Sequence, residues 1–114
     1  MNKQEQFDKM VSHLLAQNEK SASQEGYIAV TCYYRHPGGK LKCAVGALIP
    51  DELYEIEMER KGVAQLMREY PELDFDFKLA LDCQHIHDET EPEQWPDSLM
   101  IVAAEHGLRY NGVR

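Results

Sequence analysis

The chain has no stretch of 18 or more apolar residues, and its opening MNKQEQFDKM lacks the hydrophobic run of a signal peptide. A membrane span and a secretory leader are therefore not expected, and a cytoplasmic protein is the default. Cysteine is scarce: there are three, Cys32, Cys43 and Cys83, an odd number for a disulfide scaffold. A reducing compartment would keep them as thiols. Clustered Lys and Arg, which counterion release at a phosphate backbone requires, are missing as well. Direct nucleic-acid binding is disfavoured. No repeat, low-complexity tract or linker breaks the 114 residues, of which 43% are apolar. That is enough for one core, so residues 1–114 are read as a single domain.

The charge that is present is uneven. The net value is −8, yet residues 51–105 hold sixteen acidic side chains against Arg60, Lys61, Arg68 and Lys78, a local −12. Such a surface either only keeps the protein in solution or competes for a basic groove on a partner.

Helical periodicity marks the first element. Phe7, Met10, Val11, Leu14 and Leu15 form one stripe behind a capping box at Asn2 and Glu5, predicting a helix over Lys3–Gln17. A loop follows to Glu25. The segment GYIAVTCYYRHPGGKLKCAVGALIP, Gly26 to Pro50, reads as a β-hairpin turned at Pro37, Gly38 and Gly39. Pairing Arg35 with Lys40 places Ile28, Val30, Cys32 and Tyr34 on the apolar face, with Cys43 across from Cys32. Centring the turn on Gly38 and Gly39 instead would put Cys43 opposite Tyr34. Short helices are expected after Pro50 through Tyr54, over Val63–Tyr70, over about Phe77–His87 and over about Pro96–His106. The predicted class is α+β: a small antiparallel hairpin sheet covered by four to five short helices.

Two constellations invite chemistry. Cys83 and His87 stand four apart on a predicted helix, and with Cys32 and Cys43 would complete a tetrahedral zinc set. The wide spacing of the hairpin cysteines argues against it, and buried core thiols are favoured. A thiolate at Cys43 or Cys83, with His85, His87 or His106 as base and Asp88 or Asp82 to orient it, is the second set. Acidic, inward-facing surroundings would raise those thiols' pKa rather than lower it. No catalytic residue, metal or cofactor is therefore assigned.

The segments KCAVGALIPDELY and QHIHDETEPEQW, with the terminal AAEHGL, resemble those of a group of small uncharacterised proteins of bacteria, phages and prophages. The resemblance implies a phage-linked accessory protein of the kind that acts by binding a host factor. The expected function is thus non-enzymatic: docking on a basic patch of a host protein, with inhibition of a defence or nucleic-acid-handling system as the sharper form. Asp51, Glu52, Glu55, Glu57, Glu59 and Trp95 are the expected partner-binding residues, with no direct nucleic-acid or membrane contact. A small Cys/His thiol hydrolase or zinc-binding protein is the alternative.

Overall fold

Helix α1, Lys3–Gln17, forms where the periodicity places it. Asn2 accepts from the Glu5 N–H at 2.8 Å and donates its own N–H to the Glu5 carboxylate at 2.9 Å. Its buried face is Phe7, Met10, Val11 and Leu14, and it stops at Asn18 in the left-handed region, φ 49°. The computed structural model describes residues 1–25 and 29–112, with backbone only for 23–25 and 29–31. Helices α2, Ala44–Leu48, α3, Val63–Glu69, α4, Phe77–Glu89, and α5, Trp95–Glu105, complete a mostly helical fold around one apolar core.

The predicted α+β class is overturned, because no sheet carries this core. Among the described residues the extended pieces are two four-residue strands, β1 (Ala22–Glu25) and β2 (Ala29–Cys32), paired antiparallel as a ribbon with Ala22 opposite Cys32. The partner of residues 29–32 is thus the upstream stretch read as a loop. Tyr27 and Ile28, expected on the hairpin faces, lie outside the described residues, as do the side chains of Val30 and Thr31. The expected second strand does not form. Around the Pro37–Gly39 turn the backbone takes the longer alternative, with a single bridge between Arg35 and Lys42 and the Cys43 N–H on the Tyr34 carbonyl at 3.3 Å. Cys43 therefore does not face Cys32.

Two features convert the expected strand into α2. Lys42 is claimed by α1: its N–H reaches Gln17 Oε1 at 2.9 Å, and its carbonyl accepts from Gln17 Nε2 at 2.8 Å and meets His13 Nε2 at 2.9 Å. The five residues of α2 are then buried between α1 and α4, with Cys43 as N-cap accepting from the Gly46 N–H at 3.3 Å. Burial on all sides erases any periodic signal. Gly46 permits it, because a Cβ there would stand 1.9 Å from the Tyr34 carbonyl oxygen. Pro50 begins a hydrogen-bonded turn rather than a helix, its carbonyl accepting from Leu53 and Tyr54 at 3.0 and 3.2 Å.

Replacing Gly46 by Ala is expected to cost at least about 3 kcal/mol or to prevent folding, because backbone rather than a flexible side chain must move. Gly62→Ala, where nothing lies within 4 Å of the added carbon, should change stability by less than about 1 kcal/mol. Denaturant titration of both variants checks this pair, and equal stabilities would contradict the close approach.

Candidate functional site

The acidic segment after α2 is built as a rim. Beyond the turn at Pro50, a single 3-10 turn over Ile56–Met58 is pinned by the fully buried Met58. Pinning Met58 leaves Ile56 facing outward, 69% exposed between Glu55 and Glu57. Asp51, Glu52, Glu55 and Glu57 are all exposed here. Asp51 accepts from Arg35 Nη2 at 2.7 Å and lies 3.8 Å from Lys42 Nζ, while Glu55 accepts from the Tyr70 hydroxyl at 3.0 Å.

Glu59, expected on this docking face, is half-buried and its carboxylate is taken up by neighbouring groups. Its two carboxylate oxygens accept the N–H groups of Tyr34 at 2.9 Å and Arg35 at 3.0 Å, and the Tyr54 hydroxyl at 2.7 Å. Burial and that bond to Glu59 push the Tyr54 hydroxyl well above its ordinary pKa. Beside the rim opens a cleft of about 760 Å³ lined by Tyr33, Arg35, His36, Lys42, Tyr54 and Arg60, with Ile56 at its lip.

Trp95 is a second correction. It is 0% exposed, stacks on the His87 ring at 5.6 Å and 26°, and donates Nε1–H to the Thr90 carbonyl at 3.2 Å. A side chain so placed cannot reach a partner surface while the fold is intact.

The residues nominated for chemistry divide in the same way. Cys43 and Cys83 are fully buried; burial pushes the Cys83 thiol up to about 12 and the Cys43 thiol higher still. His106 meets Asp82 at 2.8 Å. Partial burial acts upward on the Asp82 carboxyl, but hydrogen bonds from His106 and Lys78 hold it below the usual carboxylate range. His85 is exposed, with Nδ1 3.9 Å from Glu89. The four-residue zinc set is not assembled. Among the described residues the donors that converge are Cys32, His87 and Asp88, within 4.8 Å of one another.

That cluster fits neither a metal nor a general base. His87 Nε2 accepts the Ser21 backbone N–H at 2.9 Å, so the ring proton sits on Nδ1 and is donated to Asp88 Oδ1 at 2.7 Å. A metal on Nδ1 would shift the proton to Nε2, where it would collide with the Ser21 donor. Asp88 Oδ1 also accepts from Gln84 Nε2 at 2.9 Å, and Gln84 Oε1 accepts the Val45 N–H at 3.0 Å. The Cys32 thiol is hydrogen-bonded to Asp88. Burial first, then Asp88's charge and hydrogen bond, push that thiol up to about 11. Convergence of Cys32 on this pair was hidden from the sequence, because it depends on strand β2 meeting the C-terminal end of α4.

Thiolate is the species that alkylates, so Cys32 should label slowly near neutral pH, with the rate rising as pH approaches about 11. Asp88→Asn removes both the charge and the anionic acceptor, and the labelling midpoint should move down. Cys43 and Cys83 should stay unmodified until the protein unfolds. Fast native labelling of Cys32 at pH 7 would contradict the Asp88 contact. His87→Phe keeps the stack on Trp95 but strands the Ser21 N–H, for an expected loss of about 1–3 kcal/mol in denaturant titrations.

No protein-family model, curated protein or solved structure matches the chain, and its function is read from these residues.

Proposed function

We propose that this protein is a non-enzymatic interaction protein that seats the rim Asp51 to Glu57 on a basic surface of a host protein, in the manner of a phage-linked accessory factor that restrains a defence or nucleic-acid-handling system. One observation carries the reading: Ile56, 69% exposed, stands between the exposed acids Glu55 and Glu57 on a turn held in place by buried Met58. An apolar anchor ringed by charge is the anatomy of a protein interface. The anchor is desolvated on docking, while the surrounding carboxylates steer the encounter and reject like-charged partners. The local excess of acid supports the same partner chemistry. The alternative of a thiol or zinc enzyme loses ground because Cys43 and Cys83 are buried and both nitrogens of His87 are engaged.

Of the acidic residues, Glu52, Glu55 and Glu57 are the ones to reverse, because Glu59 anchors backbone and Asp51 pairs with Arg35. The triple change to Lys should leave the unfolding midpoint nearly unchanged, since exposed charges contribute little singly. It should lower the association rate for the captured partner by roughly tenfold or more, and wild-type association should weaken with salt as the Debye length shrinks below about 8 Å. Ile56→Ser should act instead on dissociation. Affinity capture from bacterial lysate at low and high salt, followed by kinetics on the captured protein, provides the measurement. Equal binding by wild type and both variants overturns the proposal.

A further inference from the structure

The cleft beside the rim differs from it in charge. The two carboxylates on its wall are already occupied: Glu59 by two backbone N–H groups and the Tyr54 hydroxyl, Asp51 by Arg35 and Lys42. Arg35 already has its charge paired, with Nη2 bonded to Asp51 at 2.7 Å and to the Ile49 carbonyl at 3.0 Å, and its guanidinium 4.6 Å from the Tyr54 ring centre. Arg60 is different. It lines the cleft and is exposed, and its guanidinium makes no ion pair or hydrogen bond among the described residues. The unanswered charge of the cleft is therefore positive, in a chain of net −8.

Two further observations concern the same place. Arg60 holds φ at 68°, a left-handed backbone that disfavours a side chain of this size, where Gly or Asn would sit more easily. Anchored neighbours enforce it: Glu59 binds the Tyr34 and Arg35 backbone, and the Lys61 carbonyl accepts the Tyr34 hydroxyl. Such strain persists where the surroundings over-determine it, and here it sets a long cation at the lip of a cavity. The rest of the wall carries rings and aliphatic groups, with Tyr33 and His36 in an edge-to-face pair at 5.3 Å and Leu41, Pro37 and Ile56 around them. A volume of about 760 Å³ falls within the range of small-ligand clefts.

We infer that this cleft binds a small planar aromatic acid, whose ring stacks on Tyr33 beside the edge-on His36 and whose anionic group is forked by Arg60. A guanidinium suits that task because its paired N–H groups match the two oxygens of a carboxylate or phosphate. The cleft shares Asp51 and Ile56 with the rim, but the two readings are tested separately, since the probes below contain no protein and Glu52, Glu55 and Glu57 are not on the cleft wall.

The test is an amide-resolved NMR titration of the intact protein with 2-naphthoate and, in parallel, 2-naphthylmethylammonium, which offers the same ring with the opposite charge. Saturable shifts are expected for 2-naphthoate at residues 33–36 and 59–61, with the ammonium at least about tenfold weaker. Arg60→Asn tolerates the left-handed backbone and removes the exposed guanidinium, so the melting temperature should hold while 2-naphthoate affinity falls roughly tenfold. Tyr33→Ala should weaken both probes. Failure of 2-naphthoate to saturate, shifts confined to other surfaces, equal binding of the two probes, or indifference to Arg60→Asn overturns the inference. The Glu52, Glu55 and Glu57 reversal should leave 2-naphthoate binding in place, separating this site from the rim.

Discussion

Burial of the five-residue helix α2 organises this fold. A helix so short has almost no internal hydrogen bonds to spare, so each polar group at its ends must find a partner from elsewhere once water is excluded. At the start, the Cys43 thiol accepts from Gly46 and Gln84 of α4 accepts from Val45. At the end, the Ile49 carbonyl accepts from Arg35. Two other parts of the chain, α4 and the segment at Arg35, are thereby fixed against one helix, and the absence of a Cβ at Gly46 lets the Tyr34 backbone close over it.

The surface features inherit their geometry from that arrangement. Arg35, having satisfied the end of α2, continues to Asp51 and lies over Tyr54, which binds Glu59. Glu59 returns to the N–H groups of Tyr34 and Arg35 and closes the circuit. This loop of bonds forms a rigid floor. The exposed rim from Asp51 to Glu57 and the cleft bounded by Arg60 stand on it, so their side chains are presented from a fixed backbone rather than from a free loop.

The same accounting explains why residues with catalytic names do no evident chemistry. His87 has a donor on one side and an acceptor on the other, Asp88 receives hydrogen bonds from His87, Gln84 and Cys32, and His106 is joined to Asp82. This polar network specifies how α4 meets the Ser21 backbone, strand β2 and α2, and it engages both ring nitrogens of His87. The cysteines follow suit, since desolvation keeps them as neutral thiols.

Helices α1, α3, α4 and α5 were legible within one or two residues, because an amphipathic stripe between solvent and core leaves a 3.6-residue period and caps leave their own residues. The acidity of the second half and the turn at Pro37–Gly39 were legible for the same local reason. Segment 40–48 was not: its apolar run from Cys43 to Leu48 is consistent with either a buried helix or a strand, and the choice rested on Gln17, His13 and Gln84, residues 25 or more positions away. The roles of Glu59 and Trp95 were invisible likewise, since a carboxylate on backbone N–H groups and an indole on His87 look in sequence like any exposed acid or aromatic. The sequence by itself determined which faces had to be covered and where charge would gather; the tertiary structure alone decided what covered them, because burial and hydrogen-bond satisfaction depend on partners that no local window contains.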